Sequence, residues 1–132
     1  MKIAYIGIDL FYPALEAFVS NGCEILKIFS CKTDNVTEFN TKITGYAKEH
    51  GIPYTLDRIR KKDIEELIHA GAEAIVCAGY YYLIPITEEI PMINIHPTLL
   101  PVGRGSWPMP VIIMERHPKS GVTIHKMEES FD

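Results

Sequence analysis

Asn94 and His96 are two residues apart in the run Met92-Ile93-Asn94-Ile95-His96-Pro97. The apolar residues around them read as a strand, and on a strand residues i and i+2 point to one face. An amide donor beside an imidazole could hydrogen-bond an oxygen as it becomes an oxyanion, and could move a proton. The same two residues could equally be a polar strand end that satisfies local backbone. Thr123 and His125 repeat the spacing on a later apolar run, and Asp132 lies in the loop beyond it. An acid there could orient or charge-couple His96, as a base and its orienter do, or it could be a solvated chain end.

A third stretch, Gly79-Tyr80-Tyr81-Tyr82-Leu83-Ile84, follows an apolar run. Three tyrosines at the carboxyl end of a strand could wall a pocket for a flat heterocycle. They could also pack in the ordinary way against a following helix. A metal centre would have to draw on His96, His125, Glu128 or Asp132, whose spacing matches no established ligand pattern. His50, His69 and His117 fall at helix surfaces or ends. The first strand ends Gly7-Ile8-Asp9 without G-x-G-x-x-G, and no P-loop pattern occurs, which argues against NAD and ATP. Asp9 reads as a helix cap or turn residue.

The elements that must position these groups follow from periodicity. Residues 3–8 form a short apolar run of the kind buried on both faces in parallel sheets. Pro13 suits a first helical turn, Ala14, Leu15, Phe18 and Val19 make an apolar stripe, and Asn21-Gly22 stops it. Residues 24–30 predict a second strand, and Asp34-Asn35 a turn. Phe39, Ile43, Tyr46 and Ala47 share a helix face that ends at Gly51. Residues 52–56 predict a third strand. Ile64, Leu67 and Ile68 mark a helix ending at Gly71. Residues 74–78 and 92–95 predict two further strands, 108–114 a helix opened by Pro108 and Pro110, and 122–127 a last strand. This alternation predicts a Rossmann-like α/β domain, a mostly parallel sheet with helices on both faces. Ligands in such folds sit at the carboxyl ends of the strands, where Asp9, the tyrosine run and the loop after residue 95 all fall.

Composition bounds the rest. The 132 residues amount to one domain, 47% hydrophobic and 23% charged, with a net charge of −4. That charge is unlike the basic face attracted to nucleic acids or membranes. No apolar run is long enough to span a bilayer. The three cysteines are scattered and odd in number, which suits a reducing cytoplasm.

The run Asn94-Ile95-His96-Pro97-Thr98-Leu99-Leu100-Pro101 closely resembles the N-[IV]-H-[PG]-S-L-L-P signature of the folate-dependent formyltransferases. That family includes enzymes acting on glycinamide ribonucleotide, methionyl-tRNA and sugar amines. Thr98 stands where serine is common. Arg104-Gly105-Ser106-Trp107-Pro108 resembles the R-G-x-x-P run of the tRNA and sugar branches. Residues 121–132 resemble the family's G-V-T-[IV]-H-x-M-x-x-x-[LF]-D segment.

The resemblance implies formyl transfer from 10-formyltetrahydrofolate to a primary amine, with no metal required. It implies Asn94, His96 and Asp132 as the catalytic amide, imidazole and acid. It implies that residues 81–83, within the run Tyr80, Tyr81, Tyr82, Leu83 and Ile84, hold the pterin. The first loop, Gly7-Ile8-Asp9-Leu10-Phe11, lacks the glycine-rich phosphate loop of the glycinamide ribonucleotide branch. Thr33-Asp34-Asn35 resembles the sugar branch, and the turn around it lacks a long basic insertion for gripping tRNA phosphates. The acceptor expected is therefore an amino sugar linked to a nucleotide, with methionyl-tRNA next, the one nucleic acid among the expected partners. The family's domain usually continues past the acid, so residues 1–132 are expected to lack its C-terminal strands and helix. The alternatives are a catalytically incomplete folate-binding fragment, or a non-enzymatic receiver-like α/β signalling domain.

Overall fold

The computed structural model describes residues 1–32 and 40–129. Six strands among them form one sheet: β1 (Lys2–Gly7), β2 (Glu24–Phe29), β3 (Tyr54–Thr55), β4 (Ala74–Ala78), β5 (Met92–His96) and β6 (Thr123–Lys126). Four α-helices connect them: α1 (Tyr12–Ser20), α2 (Thr41–Glu49), α3 (Lys61–His69) and α4 (Pro108–Met114). The sheet order is β3-β2-β1-β4-β5-β6. All neighbours pair in parallel except β5 and β6, which are antiparallel. The expected mostly parallel Rossmann-like sheet is what the chain adopts.

The alternation of side chains along β1 and β4 builds two cores. Ile3 and Tyr5 of β1, with Val76 of β4, pack on Leu15 of α1 and on Ile43 and Ala47 of α2. Ala4 and Ile6, with Ile75, face the other way onto Ile64 and Leu67 of α3. Every residue from Ile3 to Ile6 is fully buried, as a central parallel strand covered on both sides must be. The stripe read for the second helix holds at Ile43, Tyr46 and Ala47. Its Phe39, the Asp34-Asn35 turn and the Thr33-Asp34-Asn35 segment lie outside the described residues.

Two features differ from expectation. Strand β3 has two residues rather than five, because it pairs only with β2, at Ile28–Tyr54 and Phe29–Thr55. A 3-10 turn, Asp9–Phe11, precedes α1. Asp9 does cap a helix, but it is a distant one. Its two carboxylate oxygens accept from the backbone N–H groups of Lys42 and Ile43, each at 2.9 Å, at the start of α2. Asn40 returns the contact, accepting from the Asp9 N–H at 3.1 Å while its own amide donates to the Cys31 carbonyl.

The strand order turns back between β1 and β4, where Gly7 pairs with Ala78. Connections leave the carboxyl ends of these strands in opposite directions and open a crevice, the usual ligand position in this topology. Gly7 keeps this edge tight. A Cβ there would stand 2.6 Å from the Tyr5 ring and 3.0 Å from the Ala78 carbonyl oxygen.

Candidate functional site

A cleft of about 300 Å³ occupies that crevice. The 3-10 turn supplies Leu10 and Phe11 on one side, and the segment after β4 supplies Tyr80, Tyr81, Tyr82, Leu83 and Ile84. Asn94 and His96 come from the end of β5, and Trp107 and Met109 from the start of α4. Seven of the eight residues expected at the site therefore line one cavity. The eighth, Asp132, lies outside the described residues.

The tyrosine run does not pack against a following helix, because residues 79–91 form none. Tyr81 and Leu83 are about half exposed and Tyr82 is also exposed, whereas Ile84 is buried in the α3-side core. Ile84 thus anchors the segment and the preceding residues face the cleft. Tyr80 is held separately. Its phenol oxygen accepts from the Ile59 N–H at 3.1 Å, and its ring meets that of Tyr82 edge-on at 5.4 Å. Burial pushes the Tyr80 phenol above its ordinary pKa, against the opposing effect of the Ile59 N–H. The Arg58 guanidinium lies 5.8 Å from the centre of the Tyr82 ring.

Asn94 and His96 share a face of β5, as their spacing requires. The antiparallel register places His125 opposite Asn94 and Thr123 opposite His96. Asn94 Nδ2–H donates to His125 Nε2 at 3.1 Å. His96 Nε2 lies 2.8 Å from the Gly103 carbonyl oxygen, and a carbonyl only accepts, so the ring donates from Nε2. Thr123 pins the loop after His96. Its hydroxyl donates to the Thr98 carbonyl at 2.7 Å and accepts from the Leu100 N–H at 3.0 Å. The fully buried Thr98 closes the loop with a 2.6 Å bond to the Val102 carbonyl.

Burial differs between the two expected catalytic residues. Asn94 is half-buried, but His96 is only 4% exposed. The cleft therefore meets only a small part of His96. Sequence reasoning did not select His125 as a site residue, nor Leu10, Phe11 or Trp107. The signal for His125 was present: two adjacent strands carrying i, i+2 polar pairs pair those residues when they run antiparallel. For Trp107 and Leu10 the signal was weaker, because exposed apolar residues in loops are common.

Among the described residues, no three or more His, Cys, Asp or Glu side chains gather closely enough to hold a metal ion. No helix among them is long and apolar enough to cross a membrane.

A sequence-family model described as formyl transferase matches residues 28–132. The chain is 31% identical over 143 aligned positions to a methionyl-tRNA formyltransferase from Bacillus mycoides (strain KBAB4), which spans all of this chain and 46% of that protein. It thus covers about half the length of the curated relatives it matches. A phosphoribosylglycinamide formyltransferase from Bacillus halodurans superposes with a TM-score of 0.77 at 24% identity, over 100% of this chain and 74% of that one. A sugar N-formyltransferase from Shewanella sp FDAARGOS_354 gives 0.70 at 20% identity, over 100% of this chain and 53% of that one. At these identities the two structures show a shared fold.

Proposed function

This chain belongs to the formyl transferase family, and we propose that it forms the part of a transferase that moves a formyl group from 10-formyltetrahydrofolate to a primary amine. The observation that carries this reading is the single cleft that brings the run 80–84 together with Asn94 and His96. The exposed Tyr81, Tyr82 and Leu83 offer flat apolar surface and backbone groups to a pterin. Asn94 and His96 stand at the strand end beside it, where the formyl carbon meets the amine. Family membership sets aside the receiver-like alternative.

The chemistry assigned to these residues is acyl transfer. The amine nitrogen attacks the formyl carbon, a C–N bond forms, and the carbonyl oxygen gains negative charge. An N–H of Asn94 stabilises that oxygen, a contact that strengthens as the charge develops. His96, with a proton on Nδ1 as well as on the Nε2 held by Gly103, supports the same charge. Asp132, next in the family's motif, carries the proton released by the amine. The donor's own C–N bond then breaks, its nitrogen takes up a proton, and tetrahydrofolate and the N-formyl amine leave. The formyl group arrives already activated on the folate, so no metal step is invoked.

The acceptor proposed is an amino sugar linked to a nucleotide. Exposed Glu128 and Glu129 line the cleft, and their carboxylates oppose a long phosphate backbone there. The Asp9 carboxylate already occupies the start of α2, which argues against the ribose phosphate of a glycinamide ribonucleotide being held at that helix end. The second reading, methionyl-tRNA as acceptor, is favoured by the curated relatives at 31% identity.

The test supplies the full-length protein with 10-formyltetrahydrofolate and either a nucleotide-linked amino sugar or methionyl-tRNA. Tetrahydrofolate release and mass analysis of the acceptor report transfer. The proposal expects one formylated acceptor, the sugar. Formylated methionyl-tRNA alone would select the second reading. Folate binding with no transfer to either would leave a folate-binding protein without transferase activity as the better description.

A further inference from the structure

We infer that His125 is the positioning residue for the Asn94 carboxamide, selecting which end of that amide faces the reacting oxygen. The inference rests on the formyl-transfer reading for its rate measurements, but not for its structural one.

A carboxamide poses a specific problem as an oxyanion donor. Its NH₂ and C=O ends have nearly the same shape and opposite polarity. A half-turn of the terminal torsion would put a lone pair where a donor is needed, and that torsion is soft. Something must therefore distinguish the two ends. Directly across the β5–β6 pair, His125 Nε2 lies 3.1 Å from Asn94 Nδ2. The other ring nitrogen, Nδ1, lies 2.9 Å from the Lys126 carbonyl oxygen. That carbonyl only accepts, so Nδ1 carries the proton. In the neutral ring this makes Nε2 an acceptor, and an acceptor pairs only with the NH₂ end of Asn94. The backbone of β6 thus sets the tautomer of His125, and the tautomer sets the orientation of the amide, one N–H of its NH₂ group going to His125 and the other to the reacting oxygen.

The arrangement has its own supports. Met127 N–H donates to the Met92 carbonyl at 2.8 Å, continuing the strand pairing just past His125. Lys126 Nζ reaches Glu88 at 2.9 Å from the outer side of the strand. His125 is half-buried and lines the cleft, as Asn94 does. A positioning role acts through Asn94, so its loss cannot exceed the loss of the Asn94 donor itself.

Two variants separate this role from simple packing. His125→Phe keeps a planar ring and removes the acceptor. His125→Gln places an amide oxygen near the Nε2 position and retains an acceptor. His125→Phe is expected to lower kcat by about tenfold, within the 100- to 1,000-fold ceiling for losing an oxyanion donor outright. The donor KM should be nearly unchanged, and His125→Gln should recover most of the rate. In an Asn94→Ala background, His125→Phe should cost nothing further, because the residue it orients is gone. Equal losses from His125→Phe in both backgrounds would overturn the proposal. Ring nitrogen NMR on the wild-type protein supplies an arm that needs no activity. It should find the His125 proton on Nδ1, and a proton on Nε2 would overturn the inference. If the wild-type protein formylates neither acceptor, the formyl-transfer reading fails and the NMR result alone decides the Asn94–His125 arrangement.

Discussion

The Nε2–H of His96 donates to the carbonyl oxygen of Gly103 at 2.8 Å, so the proposed catalytic imidazole is also a strut of its own loop. His96 as a whole is 4% exposed. Position at a cleft edge suggests that removing either proposed catalytic side chain would spare folding. For His96 that expectation is corrected by its burial and its partner.

His96→Ala should therefore lower turnover by roughly 100- to 10,000-fold and also cost about 1–3 kcal/mol of stability, since a part-buried carbonyl loses its donor. Asn94→Ala should lower turnover by about 100- to 1,000-fold with a smaller change in melting temperature. His96→Gln separates the two roles. Its amide N–H can still reach the Gly103 carbonyl, so the melting temperature should recover while the rate does not. Turnover and thermal melts on the three variants check this. A His96→Ala protein that transfers formyl at the wild-type rate would remove His96 from the mechanism.

Asp9 should prove a stability residue and not a catalytic one. Each of its oxygens accepts one N–H at the start of α2. Asp9→Ala leaves both donors without that acceptor and should cost about 0.5–2 kcal/mol, the range for losing a helix cap. Asp9→Asn keeps one acceptor oxygen but loses the charge that favours a helix N-terminus, so it should fall between Ala and wild type. Urea unfolding midpoints will show the order. Formyl transfer below the unfolding range should not follow that order, because the carboxylate is engaged with α2.

Which parts of this molecule were legible in the sequence follows from how local their causes are. The strands and helices rested on apolar periodicity, and Ile43, Ala47, Ile64 and Leu67 are buried as their spacing demands. Asn94 and His96 share a face because a strand has period two. The pairing of Asn94 with His125 was not legible, because it depends on the direction and register of β6, set by the return of the chain across some 25 intervening residues. Asp9 was readable as a cap, but not as the cap of α2, which begins more than 30 residues later. The burial of His96 goes with a loop that folds back to bring the Gly103 carbonyl onto its ring. That is a loop conformation with no period to betray it.

The packing of that loop gives a double-mutant test. Gly103 has φ +68°, and a Cβ there would lie 2.9 Å from the Thr98 Cγ2 methyl. Gly103→Ala thus meets both a left-handed backbone and a clash with a fully buried side chain. It should destabilise by about 1–3 kcal/mol, the usual range for overpacking. Thr98→Ser removes the methyl and keeps the hydroxyl that donates to Val102. Alone it should cost up to about 1 kcal/mol for the small void. Combined with Gly103→Ala, it should cost less than the sum of the singles, because the added Cβ fills the vacated space. Strict additivity in denaturant unfolding would mean that backbone strain at Gly103 is the whole effect.

The aromatic wall should divide into a residue that holds the loop and one that holds the ligand. Tyr80 accepts from the N–H of Ile59, a residue 1% exposed, so its hydroxyl ties the tyrosine run to the segment before α3. Tyr80→Phe leaves that N–H without its acceptor and should cost about 1–3 kcal/mol of stability. The ring stays in place, so affinity for a folate analogue should change little in the folded protein. Tyr82 is the converse case. It is 39% exposed, and its partners are the edge of Tyr80 and the Arg58 guanidinium. Tyr82→Ala should move stability by no more than about 0.5–1 kcal/mol, as an exposed aromatic with one surface cation–π contact. It removes part of the apolar wall, so analogue affinity should fall by roughly tenfold, the loss of about 1.4 kcal/mol of ligand contact. Thermal melts beside calorimetric titration with a folate analogue read both quantities. If Tyr82→Ala binds the analogue as tightly as wild type, the Tyr82 ring forms no part of the donor site, and the wall it supplies must be sought elsewhere in the cleft.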